Sequence, residues 1–213
     1  MKKCIWLLLG LAAASAVQAA EDRAFSLASA GEVDAALVER VRAYLERNTG
    51  AAVQFASVLP MEPGQSLEAL GRAAAGKLLG EADPGVIVLA RPTSPQPQGV
   101  CLPHERFAVL NLARLEEGVD AAKLERRAGQ EGLRVMSMLL DLSPCPFPLC
   151  VLVGYEKTED LDQMSGNFCP PCQDRFTRRA REAGVRLIPP APAESAAPAD
   201  GPEAAADPVP ASE

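Results

Sequence analysis

Histidine is nearly missing from this chain: among 213 residues, His104 carries the one imidazole. A metal site built on three imidazoles is therefore excluded. Ser66, Ser137, Ser143 and Ser165 lack a histidine partner to activate them, and none sits in a G-x-S-x-G elbow. Aromatic residues make up 4%, so any core must be built from Leu, Val, Ile, Met and Ala. Lys and Arg number 21 against 28 Asp and Glu, for a formal charge of −7. That balance argues against a nucleic-acid surface, where a basic face is expected. No Gly-rich phosphate loop follows an apolar run, since Gly71 and Gly76 fall inside a helical pattern.

Both ends of the chain read as extensions. Lys2 and Lys3 precede an apolar run, Ile5 to Ala16, that is too short to span a bilayer, and Val17-Gln18-Ala19 supplies small residues at a cleavage site. Residues 1–19 are thus expected to be a secretory signal peptide, which places the mature chain in the periplasm or the medium with no membrane span. Cys4 precedes the apolar run, so it has no lipoprotein context. At the other end, residues 189–213 hold seven prolines, nine alanines, five acidic residues and no basic one. Such a segment cannot bury a core and reads as a disordered acidic tail. One globular domain is left, residues 20–188.

Within it, helix and strand patterns alternate. Glu32 to Asn48 repeats apolar residues at helical spacing. Ala51 to Leu59 alternates as a strand. Ser66 caps a helix reaching about Leu79, and GVIVLA (Gly85 to Ala90) is an apolar run of the buried-strand kind. Arg91 to Gly99 reads as loop, and Phe107 to Leu112 as a strand. Asp120 caps a helix over Ala121 to Leu142. Cys150 to Tyr155 is a short strand or an extended loop, and a last helix over Pro170 to Ala183 is closed by Gly184. The fold class is α/β or α+β with a small mixed sheet.

Four of six cysteines lie in one stretch, as Cys145-x4-Cys150 and Cys169-x2-Cys172. Two such pairs, separated by a loop, can converge on one tetrahedral zinc ion. Cys169 and Cys172 open a helix, whose dipole favours the thiolate that metal binding needs. Two disulfides are the second reading, since export would place the chain in an oxidising compartment. A thioredoxin-like redox pair at Cys169 and Cys172 is the third. His104, beside Cys101 and Glu105, reads as a surface loop residue, and Glu116/Glu117 and Asp160/Asp162 as solvated faces.

The stretch resembles the archaemetzincin family of zinc metallopeptidases. Their catalytic helix reads H-E-x-x-H-x-x-G-x-x-H-C, followed by a second Cys, a Met and, further on, a C-x-x-C. Alignment on Cys145 brings Cys150, Leu152 in the Met place, and Cys169-Pro170-Pro171-Cys172 into register. The strand FAVLNLARL (Phe107 to Leu115), the helix KLERRAGQEGLR (Lys123 to Arg134), and Asp160, Asp162 and Phe168 share the family look. The resemblance spans roughly residues 100–176.

It implies a zincin-like mixed sheet, a zinc ion at the four cysteines, and a catalytic zinc on the helix. The helix positions do not supply the second. Arg134 stands at the first His, Val135 at the general-base Glu, Met138 at the second His, Asp141 at the Gly and Pro144 at the third His. Zinc peptidase chemistry needs three neutral ligands, an open water position and the Glu. The expectation is an exported pseudopeptidase that holds one structural zinc and no catalytic zinc, and acts by binding a protein or peptide ligand. Val135 and Met138 then read as ordinary core, or else as an apolar depression, and Asp141 can still accept a left-handed conformation at the helix end. A zinc-dependent peptidase, by family resemblance, and a periplasmic thiol-redox protein using Cys169 and Cys172 are the alternatives.

Overall fold

The computed structural model describes residues 23–189. The expected signal peptide and nearly all of the acidic tail lie outside the described residues. The chain runs β1 (Phe25–Gly31), α1 (Ala35–Thr49), β2 (Val53–Leu59), α2 (Leu67–Leu78), β3 (Val86–Arg91), β4 (Gly99–Leu102), a 3-10 turn (Pro103–Glu105), β5 (Phe107–Asn111), α3 (Leu112–Leu115), α4 (Ala121–Leu139), a 3-10 segment (Thr158–Asp162) and α5 (Pro170–Glu182).

The strands form one mixed sheet in the order β2-β1-β3-β5-β4. Neighbours are parallel except β4, which pairs antiparallel with β5 at the edge. Period-two alternation sorts strand side chains to two buried faces. Phe25, Leu27, Ile87, Leu89, Ala108 and Leu110 face α1, α4 and α5. Ala28, Ala30, Val86, Val88, Phe107 and Val109 face Leu67, Leu70 and Ala74 of α2. Helices on both faces of the sheet make this a three-layer α/β domain, as the alternation of patterns implied.

Local chemistry sets the helix ends. Ser66 Oγ accepts from the Ala69 amide, and Asp120 accepts from Lys123, both as read from the sequence. Gly184 closes α5 with a φ of 69°. Helix α1 starts later than its pattern suggested, because Asp34 accepts from the Ala36 amide. Two strands were not legible. β1 reads FSLASAG, with small and hydroxylated residues buried on both faces and no extended apolar run. β4 starts at Gly99, where the proline-marked loop ends, and the sequence pattern assigns no element to its remaining residues Val100 to Leu102.

Helices α1 and α4 approach closely because two glycines face the contact. A Cβ at Gly129 would lie 2.6 Å from the Tyr44 ring, and one at Gly132 would lie 2.7 Å from Leu45. Tyr44 Oη in turn donates to the Gly166 carbonyl at 2.7 Å. The same contact that seats α4 thus anchors the loop approaching Cys169.

Candidate metal centre

The cysteines are positioned by irregular backbone framed between two helices. Helix α4 ends at Leu139, three residues before Leu142, where the apolar pattern placed its end. Asp141 then takes the left-handed conformation, φ 59°, as the sequence position anticipated. Chain reversal there sends 143–149 outward and back. The Cys145 amide donates to Leu152 O at 3.0 Å, Cys150 to Phe147 O at 3.1 Å, and Val151 to Asn167 O at 2.8 Å. Residues 150–155 form turns, not a strand. Cys169 is the N-cap of α5, with prolines in the first turn, and the Cys172 amide donates to Cys169 O at 2.9 Å.

These contacts bring all four sulfurs within 4.8 Å of one another, each from a buried residue. Cys145 Sγ and Cys169 Sγ are 3.8 Å apart. A tetrahedron of Zn–S bonds about 2.3 Å long has edges of about 3.8 Å. A disulfide needs about 2.05 Å, and none of the five described cysteines is disulfide-bonded. Nor do Cys169 and Cys172 stand apart as a pair, since Cys145 meets Cys169 across the site. The donor set fits one tetrahedral, thiophilic divalent ion.

Electrostatics point the same way. Burial raises the Cys150 thiol and pushes that of Cys172 up to about 12. Burial also opposes ionisation of Cys169. There the Cys172 amide and the sulfurs of Cys172, Cys150 and Cys145 outweigh it and bring the thiol below its ordinary value. Four sulfurs share one buried space where negative charge is costly unless a cation offsets it. Some offset is already built in. The Phe147 amide donates to Cys145 Sγ at 3.4 Å, the Cys169 amide to Cys150 Sγ at 3.5 Å, and Arg175 Nη2 to Cys172 Sγ at 3.0 Å.

The residues aligned with the family helix motif lie beside this centre. Arg134 Nη1 donates to Val151 O at 2.7 Å and Val153 O at 2.6 Å, and its guanidinium sits 4.7 Å above the Tyr155 ring. Glu131 Oε1 is 3.1 Å from Arg134 Nε but out of line with its N–H, so the contact is electrostatic and no hydrogen bond forms. Burial raises the Glu131 carboxyl, with Arg134 and Tyr155 acting to lower it. Burial, followed by the Glu131 charge, raises Tyr155. Val135 is core, as expected. Met138 is not core: it is 41% exposed and lies on a depression, the other of the two readings, because α4 is nearing its end and turns that face towards an opening. Arg134, Met138, Asp141 and Pro144 line a cleft of about 300 Å³ with Pro103 and Leu152.

Asp160 and Asp162 are not a solvated pair. Asp160 accepts from the Glu156 and Lys157 amides. Asp162 receives both Nε and Nη2 of the buried Arg127, at 2.9 and 2.8 Å. Buried Gln130 adds bonds from Nε2 to the Leu161, Met164 and Ser165 carbonyls. Arg127, Gln130, Tyr155 and Arg175 escaped the sequence reading. The polar face of the amphipathic α4 pattern looks solvated until the 157–167 segment is known to cover it. His104 is exposed, as read.

No family model matches this sequence, and no curated protein matches it. Solved structures do. The chain is similar to archaemetzincin from Methanopyrus kandleri, with a TM-score of 0.61 at 20% identity over 75% of this chain and 96% of that one. It is similar to a zinc-dependent peptidase from Methanocorpusculum labreanum, with 0.59 at 16% over 71% and 99%. A third is archaemetzincin from Archaeoglobus fulgidus, complexed with malonate, with 0.51 at 19% over 71% and 99%. The chain therefore has the archaemetzincin fold, across almost the whole length of those proteins.

Proposed function

We propose that this chain is an exported, archaemetzincin-like pseudopeptidase that holds one structural zinc ion and acts by binding a protein or peptide ligand. The observation that carries the reading is Arg134. It stands at the first zinc-ligand position of the family helix and is a permanent cation. Its guanidinium is committed to the Val151 and Val153 carbonyls and to Tyr155. A cation fixed there opposes a second divalent ion in the same place. Val135 offers no proton acceptor, and Pro144 no donor atom.

Cys145, Cys150, Cys169 and Cys172 would hold the structural ion, which supplies folding energy and no open coordination position. The cleft over Met138 and Leu152 remains as a concave, largely apolar surface of the size that takes a side chain or short peptide segment. Export rests on the basic and apolar pattern of residues 1–19.

The test is metal analysis with a peptidase assay on the purified mature protein. The expected result is one zinc per chain, four unoxidised cysteines at the centre, and no peptide cleavage above background. Chelator-sensitive cleavage would overturn the pseudopeptidase reading. Two disulfides in protein taken from its native compartment would overturn the zinc centre. Met138→Arg should abolish peptide capture from a library while leaving zinc content unchanged.

A further inference from the structure

The four-thiolate centre has a cationic neighbour that the cysteine spacing does not announce. Arg175 lies three residues after Cys172, so both project from the same face of α5. Its Nη2 donates to Cys172 Sγ at 3.0 Å, while Cys172 itself is 1% exposed. The backbone amides that donate to the cluster, those of Phe147 and Cys169 among them, are neutral. Four thiolates on a divalent ion leave two excess negative charges, in a site where all four cysteines are buried.

We propose that Arg175 is a positioning residue for this centre: its guanidinium offsets one of those charges and holds Cys172 Sγ in its ligating rotamer. The proposal rests on the reading of the four cysteines as a metal site. Cys172 becomes the ligand least able to swing away, because leaving the ion would also break a charge-assisted hydrogen bond. Removing an outer partner of a metal ligand typically costs about 10- to 100-fold in metal affinity. The residue also fixes a spectroscopic property. A cation donating to a thiolate lowers the energy of the sulfur lone pair, so ligand-to-metal charge transfer from that sulfur needs more energy.

The experiment uses full-length mature protein, with cobalt(II) as the probe, and the variants Arg175→Ala, Arg175→Gln and Arg175→Lys. Arg178→Ala, on the exposed side of α5, is the control. The expected result has three parts. The sulfur-to-cobalt charge-transfer band of Arg175→Ala moves to longer wavelength. Its metal passes to a chromophoric chelator at least about tenfold faster than in the wild type. Arg175→Lys, which keeps the charge, restores most of the transfer rate, while Arg175→Gln, which keeps a donor only, restores less. A band and a transfer rate unchanged in Arg175→Ala, in protein that binds cobalt, would overturn the role of Arg175 alone. A wild type that gives no tetrahedral thiolate spectrum would overturn the metal site and this role together. Equal acceleration in Arg178→Ala would reduce the effect to a general loosening of α5 and overturn the proposal.

Discussion

At the scale of single residues, Glu131 is the group whose environment makes the clearest demand. Its carboxyl is buried, and Oε1 takes no hydrogen bond among the described residues. Desolvation raises its folded pKa above the unfolded value of about 4.3. The native state then binds more protons than the unfolded chain over the interval between the two. Wild-type stability must therefore fall as pH rises through that interval. Glu131→Gln keeps the shape and removes the charge. Arg134 loses an electrostatic neighbour but keeps two carbonyls and the Tyr155 ring. We expect the variant to melt higher than the wild type at about pH 8, with the gap closing as pH falls towards 4. A variant that melts lower at pH 8 would show that the ion pair outweighs desolvation. That Arg134 stands where the family helix has its first His was legible in the sequence. What Arg134 holds was not, since nothing in the order of residues shows that it reaches the carbonyls 17 and 19 positions on.

At the scale of elements, the contact between α1 and α4 separates two glycines that look alike in sequence. A Cβ on Gly129 would meet three atoms of the Tyr44 ring at 2.6 to 2.9 Å. That ring cannot retreat freely, because its hydroxyl is tied to Gly166 O. Overpacking of this kind costs about 1–3 kcal/mol, against about 1 kcal/mol gained in helix propensity. Gly132 meets the far end of the Leu45 side chain, with its two methyl groups at 2.7 and 3.3 Å, a buried group that no hydrogen bond ties down. Gly129→Ala is therefore expected to lose about 1 kcal/mol in denaturant unfolding, and Gly132→Ala to lie near neutral. The reverse order would place the tight contact elsewhere. Sequence periodicity found the long elements α1, α2, α4 and α5 because each has an apolar stripe and a capping residue. It passed over β1, whose buried positions are mostly Ala and Ser, and β4, a short edge strand behind a run of prolines. It also carried α4 to Leu142, since Leu139, Leu140 and Leu142 continue the apolar pattern while Asp141 breaks the backbone between them.

At the scale of the whole molecule, two parts share one core but differ in what else holds them. The sheet and its helices bury Leu, Ile, Val, Phe and Ala on both faces, and need nothing beyond the chain. Residues 140–169 contain one short 3-10 segment as regular structure. They share the sheet's core through buried Leu140, Leu142, Val151, Leu152, Leu161 and Met164, and are pinned further by Arg127, Gln130 and Arg134 from α4 and by the four sulfurs. Withdrawing a metal leaves these anchors in place, while the four sulfurs would share a buried space with the Arg175 guanidinium on one of them. Metal withdrawal should loosen the backbone around Cys145, Cys150 and Val151 and leave the sheet in place, because none of the strands carries one of the four sulfurs. Chelation followed by hydrogen exchange is the corresponding measurement. The amides of Cys145, Cys150 and Val151, each bonded within the loop, should exchange at least about tenfold faster, a fall in opening free energy of about 1.4 kcal/mol. Those of Leu27 and Val88, in the middle of paired strands, should keep their protection. Uniform acceleration across both sets would mean that the ion stabilises the whole domain as one cooperative unit, and that α4 transmits its loss directly into the sheet.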